Sequence, residues 1–598
     1  MKKIIEKYFS NLVYFYRHLR YRVFIALILS VLVGVLDGFG LAMFLPLLQM
    51  VNEGGNAKTQ GLGKLDFLVH GIESMGFSIT LLSILILMFI FFLLKGLAKY
   101  ISLDYRVKLQ QYFIKRLRLS MLNAFNNVNF RYYVGSDVGK VQNTMSGEVD
   151  RVARAYIMYF ATFEQSVMVA VYIGFAFFVD MKFAFLVTFG GLLTNILYNY
   201  IYKHTIGASR TLTGTSNIYQ GQIIQHVSNF KYLKATGLLY RYTEKLKSTI
   251  VMIENTRRKM GFYHAVLQSV REPMLIAIVA IVIILKVNVL GGSLGPIIIS
   301  LLFFYRALMA LTNMQTNWNR FLEVAGSLEN LQEFQKGLNL AKEKNGTVKF
   351  ENLKDKLEVK NVTVTYGDKD VLRDISITIR KNEIVGFVGE SGSGKTTLLN
   401  VIIGLLRADK GDMIIDGVNR NELEINSYQQ KIGYISQEPV IFNDTLFNNI
   451  TFWAEPTPEN MKRFFETLEK TSLYKFVQEM PQKHETMIGN NGVNLSGGQK
   501  QRVSIARELY KDIDILVMDE ATSSLDSETE RAIQESIDAL KGMYTILVVA
   551  HRLSTVKNAD RIALLNNGEL VDVNTFAGLR VNNTIFKSMV ELQEISKI

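Results

Sequence analysis

The sequence predicts a multi-domain membrane protein, in which an all-α domain of six transmembrane helices precedes a soluble α/β domain. Three observations lead to this prediction. Long apolar runs fill roughly the first 320 of the 598 residues, whereas the remainder alternates between strand-like and helix-like segments. The mean hydropathy of +0.15 is high for a soluble protein and low for a chain that lies wholly in a membrane. A glycine-rich loop of the phosphate-binding type follows an apolar strand-like run in the second half.

The composition shifts along the chain predict where its parts begin and end. We expect the membrane domain over residues 1–330, a linker over 331–355 and the α/β domain over 356–598. The chain has no cysteine, which excludes a disulfide and a thiolate metal site. The net charge of +13 lies in large part beside the apolar runs, so membrane topology explains it better than nucleic-acid binding. The basic N-terminal segment lacks a compact apolar core, and we expect no cleaved signal peptide.

Six apolar runs approach the length of about 20 residues that a helix needs to cross a bilayer. The predicted spans are 23–48, 78–99, 155–179, 183–202, 264–290 and 292–312. Lysine and arginine are dense in 95–154 and 203–263, so both stretches are predicted to be cytoplasmic and the loop 49–77 external. Both cytoplasmic stretches are too long for turns. We expect helices that leave the bilayer there and reverse near 135–139 and 221–230.

A phosphate-binding loop stands at residues 389–397, which read Gly-Glu-Ser-Gly-Ser-Gly-Lys-Thr-Thr. It follows the apolar run 383–388, and strand, glycine loop and helix are the context that such a loop requires. Lys395 is expected to reach the β- and γ-phosphates of a nucleotide, and the Thr396 hydroxyl to ligate Mg²⁺. The predicted nucleotide-binding residues of the loop are Gly389, Glu390, Ser391, Gly392, Ser393, Gly394, Lys395, Thr396 and Thr397.

Two adjacent acids end another apolar run, at residues 515–520. The four apolar residues are typical of a strand buried on both faces. Asp519 is expected to hold Mg²⁺ through water, and Glu520 to orient and deprotonate an attacking water. Two carboxylates beside a polyphosphate are costly without a metal, which is a physical reason to expect Mg²⁺. The alternative is an acidic turn with no role beyond ending the strand.

Residues 495–502 read Leu-Ser-Gly-Gly-Gln-Lys-Gln-Arg and precede a predicted helix. The N-terminus of a helix binds anions through its free N–H groups and its dipole. Ser496, Gly497, Gly498 and Gln499 are therefore predicted to bind a nucleotide phosphate.

With these motifs in this order, the chain resembles a bacterial half-size ABC exporter, which fuses a six-helix membrane domain to an α/β P-loop NTPase domain. The resemblance implies an ATP hydrolase that uses ATP and Mg²⁺ and works as a homodimer. It places the chain in the bacterial inner membrane, with the ATPase domain in the cytoplasm. The serine-glycine-glycine segment of one chain would serve the ATP held by its partner. No nucleic-acid partner is expected, because nucleic-acid machines with such ATPases lack six membrane spans.

Further residues match motifs of this family. Tyr366 ends an alternating strand, as does the aromatic residue that stacks on adenine, and Gln437 looks like the glutamine that touches Mg²⁺ and the attacking water. Asp526 would lie near the dimer interface, and His551 would contact the γ-phosphate. The plainer interpretations are a strand-edge tyrosine, a solvent-facing glutamine and a structural histidine. Residues 489–492 read Gly-Asn-Asn-Gly where exporters often have Gly-Glu-Arg-Gly, which leaves the coupling contacts of this loop open.

Within the family, the chain looks most like the lipid-linked oligosaccharide flippases. Asp37 lies in the first predicted span, and the external loop is long enough for a short helix. Lys95, Arg271 and Arg306 lie inside or at the edge of spans, where charges usually face a cavity or a partner. These cations would suit the diphosphate of an amphipathic, lipid-linked substrate.

Other interpretations remain open on the sequence alone. The cations could instead be satisfied locally, with Lys95 snorkelling to the inner interface, Arg271 pairing with Glu272, and Arg306 pairing with Glu164 or Asp37. A multidrug, lipid or peptide exporter of the same architecture is the alternative function. An ATP-gated channel or a receptor-regulating ABC protein is a third class, but such proteins often carry damaged catalytic residues, and the acid pair is intact here.

Overall fold

The computed structural model describes most of the chain. The described residues are 10–44, 46–47, 80–179, 181–284, 294–489, 492, 494–520, 538, 540–550 and 552–595. The chain divides into two compact units. The first comprises Met1–Val128 and Tyr132–Lys342, and the second comprises Asn129–Arg131 and Glu343–Ile598.

The described part of the first unit is helical. Its helices are α1 (Ser10–Leu19), α2 (Arg22–Ala42), α3 (Leu81–Asn126), α4 (Phe130–Val134), α5 (Val138–Asn143), α6 (Val149–Val179), α7 (Met181–Ser228), α8 (Phe230–Ala235), α9 (Leu239–Ile284) and α10 (Leu294–Leu340). A π-helical turn, Thr144–Glu148, joins α5 to α6. Helix α10 continues through the first ten residues of the predicted linker.

Four helical segments in the described part of the chain are long and apolar enough to cross a membrane: Arg22–Ala42, Leu81–Asn126, Val138–Phe177 and Leu239–Ile281. The fourth and sixth predicted spans, 183–202 and 292–312, fall in α7 and α10, whose side chains are only partly described. Helix α3 has 46 residues and is therefore about 69 Å long, against about 30 Å for a bilayer core. The long helices therefore extend out of the membrane, as predicted. The loop predicted over 49–77 lies outside the described residues.

One predicted reversal is in place and the other is displaced. The first lies between α3 and α5, where Asp137 caps α5 by accepting from the Lys140 N–H. The second was predicted near 221–230, but α7 continues to Ser228 and the chain reverses around α8. Gly221 explains the error, because a Cβ on Gly139 would lie 2.4 Å from the Gly221 Cα. This glycine lets two helices approach closely and does not form a turn.

The second unit is an α/β domain. Its strands are β1 (Lys356–Tyr366), β2 (Lys369–Arg380), β3 (Ile384–Val388), β4 (Lys410–Ile415), β5 (Val418–Asn419), β6 (Ile432–Ile435), β7 (Asp444–Thr445), β8 (Met487–Ile488), β9 (Ile515–Asp519), β10 (Thr545–Val549), β11 (Arg561–Asn566) and β12 (Glu569–Asn574). Its α-helices are α11 (Lys395–Ile402), α12 (Ile425–Gln430), α13 (Leu446–Thr451), α14 (Pro458–Lys470), α15 (Tyr474–Glu479), α16 (Gly497–Tyr510), α17 (Phe576–Asn582) and α18 (Thr584–Ile595).

Two sheets build this domain within the described residues. The larger has the order β12-β11-β3-β10-β9-β6, in which all neighbours are parallel except the β11–β12 pair. The smaller, β2-β1-β4-β5, is antiparallel. Strands β3, β9 and β10 are buried along their whole length. The unbroken apolar runs at β3 and β9 predicted this. Parallel pairing brings the carboxyl ends of β3, β10, β9 and β6 to one edge, where ligands bind in such sheets.

Candidate active site

The loop after β3 has the backbone of a phosphate-binding loop. Gly389, Gly392 and Gly394 have φ angles of +153°, +82° and +101°, which residues with a Cβ rarely adopt. At Gly389 a Cβ would also lie 2.2 Å from the Leu565 carbonyl oxygen. Helix α11 begins directly after the third glycine, so its free N–H groups face the loop. The predicted strand, loop and helix are thus all present.

Lys395 lies inside this loop. Its side chain is buried, and its Nζ donates to the carbonyl oxygens of Gly389 and Glu390 at 2.9 and 2.8 Å. Burial lowers the pKa of Lys395, while the nearby Glu520 and Asp519 carboxylates oppose that shift. An anion bound in the loop would likewise favour the charged ammonium.

The donor set beside Lys395 fits Mg²⁺ bound with a nucleotide. Thr396, on the first turn of α11, is exposed. The buried Ser393 hydroxyl lacks a hydrogen-bond partner among the described atoms, as expected where a polar ligand completes the site. No group of three or more His, Cys, Asp or Glu within the described residues could hold a metal alone. Mg²⁺ needs no such group, because it is usually held by one or two carboxylates, substrate phosphates and water.

Asp519 ends β9 and is 9% exposed. Its Oδ2 accepts a hydrogen bond of 3.0 Å from the hydroxyl of Tyr434, on the neighbouring strand β6. Burial raises the pKa of Tyr434, and Asp519 adds to that rise, so the phenol stays protonated and donates. Sequence reasoning missed Tyr434. Its position three residues before Gln437, in an apolar strand, was the signal that could have revealed it.

Glu520 follows in a strained backbone conformation. Its φ of +53° is in the left-handed region, which costs free energy for a residue with a Cβ. The Glu520 N–H donates to the Val549 carbonyl at 3.0 Å, which fixes the turn against β10. Glu520 Oε2 accepts from Gln437 Nε2 at 2.8 Å. The structure therefore brings together the residues that were predicted to act on water.

Ser496 caps helix α16. Its Oγ accepts from the Gln499 N–H at 3.3 Å, and its own N–H donates to Gln499 Oε1 at 2.8 Å, which forms a capping box. Ser496 and Gly497 are exposed, whereas Gly498 is buried. No atom lies within 4 Å of a Cβ built on Gly497, so the surface there is open.

Tyr366, the predicted adenine-stacking residue, ends β1 and is 37% exposed. The guanidinium of Arg131 lies 5.5 Å from the centre of its ring. Arg131 also binds Asp409 through two hydrogen bonds of 3.0 and 2.9 Å, and these hold the pKa of Asp409 below its usual value. Arg131 was not singled out from the sequence, because it lies far from Tyr366 along the chain.

Some predicted residues cannot be placed. His551, Asp526, Asn490 and Asn491 lie outside the described residues. The side chain of Arg271 in α9 is likewise not described. Their roles stay predictions.

The acids proposed as partners of Arg306 bind other cations. Asp37 is paired with Lys95, and Glu164 with Arg106 at 2.6 Å. Arg306 itself is exposed and forms no hydrogen bond or ion pair with any residue that the structure describes. Lys95 is therefore not an unpaired cation, and its pairing with Asp37 was not foreseen.

Comparisons with known proteins agree with this architecture. The family model of the ABC transporter transmembrane region matches residues 23–312, and that of the ABC transporter matches residues 372–523. The solved structure of a bacterial Atm1-family ABC exporter with ATP bound covers 96% of this chain and 98% of its own, with a TM-score of 0.78 at 20% identity. The predicted fold class is confirmed.

Two curated relatives illustrate the range of similar proteins. The ATP-dependent lipid A-core flippase of Haemophilus influenzae is 34% identical over 355 residues, which are 57% of this chain and 59% of the flippase. The heterocyst differentiation ATP-binding protein HepA of Nostoc sp. is 26% identical over 567 residues, 94% of this chain and 92% of that protein. The match to the flippase thus spans about three fifths of its length.

The Tyr434 contact yields the first prediction. Tyr434→Phe removes the hydroxyl that orients the Asp519 carboxylate and keeps the ring. The Mg²⁺ concentration that half-activates ATP hydrolysis should rise roughly three- to tenfold, as expected for the net contribution of one hydrogen bond. Titration of ATPase activity with Mg²⁺ at saturating ATP measures this.

Tyr428→Phe is the matched control. Its hydroxyl donates to the Ile402 carbonyl at 2.8 Å in the core of the same domain. That variant should lose thermal stability with no change in Mg²⁺ dependence. Equal Mg²⁺ dependence of Tyr434→Phe and the wild type would contradict the positioning role.

Proposed function

We propose that this chain, which belongs to the ABC transporters and has the half-size exporter arrangement, hydrolyses ATP to move an amphipathic, anionic lipid-linked substrate across the membrane. The observation that carries the ATPase is the grouping of Lys395, Asp519, Glu520 and Gln437 at one sheet edge. The grouping joins a cation for phosphates, a carboxylate for Mg²⁺ and a carboxylate–amide pair for water.

ATP binding requires little rearrangement of this site. The glycine loop presents backbone N–H groups at the start of α11, and these bind phosphate oxygens. Lys395 exchanges two carbonyl contacts for the stronger contact with a polyphosphate. Tyr366 is 37% exposed, so part of its ring is accessible to the adenine.

Hydrolysis then depends on Glu520. Its carboxylate accepts a proton from the attacking water, and Gln437 holds the carboxylate and water in line through its amide. Bound Mg²⁺ would neutralise charge on the β- and γ-phosphates, and Thr396 and Asp519 are the residues that would hold it. The Tyr434 hydroxyl keeps the Asp519 carboxylate in its orientation.

Glu520→Gln tests the assignment of the base. The amide cannot take the proton, whereas the Lys395 and Asp519 contacts remain, so ATP should still bind. We expect the rate of hydrolysis to fall by about 10²-fold or more. Turnover and ATP binding of the purified variant are measured together. Wild-type turnover would show that another group is the base.

The exposed capping serine supports a homodimer with shared sites. Ser496 and Gly497 face solvent at the start of a 14-residue helix, and so can meet a phosphate held by another chain. Each chain carries one P-loop and one such helix. Two identical chains would therefore complete two equal sites.

Mixed dimers test the sharing. Subunits that carry Lys395→Ala are mixed with subunits that carry Ser496→Arg, and each homodimer should be inactive. In the mixed dimer both changes fall in one composite site and leave the other intact, so roughly half of the wild-type ATPase rate is expected if the sites act independently. Inactivity of confirmed mixed dimers would argue against shared, independent sites.

The substrate proposal rests on charge in the membrane domain. The relatives include proteins named lipid A-core flippases, which supports a lipid as the cargo. Arg306 is a cation with no described partner on an apolar helix, and Lys95 and Arg271 are the other predicted cations. A charge in a bilayer costs about 2.5 kcal/mol or more, so an anionic group moving past it is favoured. A lipid-linked oligosaccharide joined through diphosphate has this chemistry.

Arg306→Leu tests the substrate class in proteoliposomes. Transport of a polyprenyl-diphosphate-linked sugar should fall roughly tenfold or more, because a contact between charges is lost. Transport of a neutral lipid should not fall. Arg118→Leu is the control, since Arg118 is a surface cation paired with Asp150 at 2.7 Å. If the wild type transports only neutral lipids or drugs, the function of a general exporter replaces the proposed function of a flippase for lipid-linked oligosaccharides.

A further inference from the structure

A cluster of charged and polar side chains lies inside the apolar part of the membrane domain. Asp37 on α2 accepts hydrogen bonds from Lys95 on α3 and from the hydroxyl of Tyr172 on α6. The Asp37 side chain is 3% exposed and that of Lys95 is 22% exposed. The Lys95 ammonium also lies 5.4 Å from the centre of the Phe92 ring. The carboxylate is therefore buried, whereas the lysine that pairs with it remains partly exposed.

Arg306 adds a second cation to this cluster. Its neighbours Phe303 and Ala307 on α10 pack in the same buried cluster as Tyr172, which places Arg306 beside the helices that carry the Asp37 contact. Its side chain is exposed, and no described residue pairs with it. Among the described side chains, the cluster thus holds one carboxylate and two cations, which is a surplus of one positive charge.

A second ion pair, which joins α3 to α6, lacks this surplus. Arg106 and Glu164 are 18% and 16% exposed and contact each other at 2.6 Å. One cation meets one carboxylate there. This pair provides an internal comparison for a role of the Asp37 cluster beyond joining helices.

We propose that Asp37 is the built-in counter-ion of an anion site, which it shares with Lys95 and Arg306, and that a phosphate-bearing amphiphile competes with it for Lys95. The proposal rests on the proposed function. It adds that the Asp37 carboxylate sets the affinity of the membrane domain for its substrate. Without ligand, Asp37 neutralises the Lys95 ammonium, so that no unpaired lysine lies in the apolar region. When the ligand binds, its phosphate pairs with Lys95 and Arg306, and the Tyr172 hydroxyl continues to donate a hydrogen bond to Asp37.

This competition determines whether each substitution strengthens or weakens binding of the ligand. Asp37→Asn removes the competing charge, so Lys95 becomes free for the ligand and binding should tighten about fivefold, the lower end of ordinary coupling between sites. Lys95→Met removes one of the ligand's cations, and binding should weaken by about the same factor. Tyr172→Phe leaves Asp37 more dependent on Lys95, so binding should weaken roughly twofold. A merely structural cluster would predict the same direction for all three.

The experiment measures equilibrium binding of a prenyl diphosphate to the purified full-length protein in uncharged detergent micelles. The prenyl alcohol of equal length is the uncharged probe, and inorganic pyrophosphate is the anion without a chain. Only the prenyl diphosphate should show the opposite effects of Asp37→Asn and Lys95→Met. Glu164→Gln is the matched control and should leave the affinity unchanged.

Several outcomes would overturn the counter-ion role. These are equal or weaker binding in Asp37→Asn that still folds, an equal response to the prenyl alcohol, or no binding to the wild type. If Asp37→Asn fails to fold, stronger binding in Tyr172→Phe is the contradicting result. Pyrophosphate binding with the same pattern and the same affinity would show that the prenyl chain contributes nothing, and would overturn the amphiphile as the ligand. If the predicted pattern appears but proteoliposomes move no diphosphate lipid, the proposed function fails and the anion site stands.

Discussion

Parallel pairing of fully buried strands is the constraint on which the candidate ATP site depends. Strands β3, β10, β9 and β6 run in the same direction. The side chains at and after their carboxyl ends therefore meet at one edge of the sheet, although they lie far apart in the sequence. The register places Asp519 opposite Val549, and the next residue, Glu520, bonds to the carbonyl of the same valine. A slip of one residue would turn Asp519 to the other face of the sheet. The apolar runs therefore fix the catalytic geometry as well as the stability of the domain.

The membrane unit solves a different problem, which is how to keep charge in an apolar environment. It pairs acids with bases across helices: Asp37 with Lys95, and Glu164 with Arg106. Such pairs cost more to bury than apolar residues of equal volume, so their presence is weak evidence for a gain in stability. Arg306 departs from this pairing among the described residues. That imbalance is the observation on which the proposed anion site rests.

The sequence predicted those parts of the site that local chemistry determines. The glycines of the P-loop, the helix that begins after Ser496 and the acid pair at the end of β9 belong to short motifs whose members are close both along the chain and in space. The order of the two domains followed from hydropathy. Contacts set by helix rotation or strand pairing were not predictable. Lys95 meets Asp37, and Tyr434 meets Asp519, only because packing places distant segments together. Gly221 was misleading because close helix packing and turns both require glycine.

The capping box at Ser496 bears on how reversibly two chains can associate. Its hydroxyl oxygen already accepts from Gln499, yet a serine hydroxyl still has a hydrogen to donate. A phosphate presented by a second chain can therefore be bound without uncapping the helix. Association and separation then leave the internal hydrogen bonds of α16 intact. Because this surface is preorganised, little free energy would be lost in ordering it when a second chain binds.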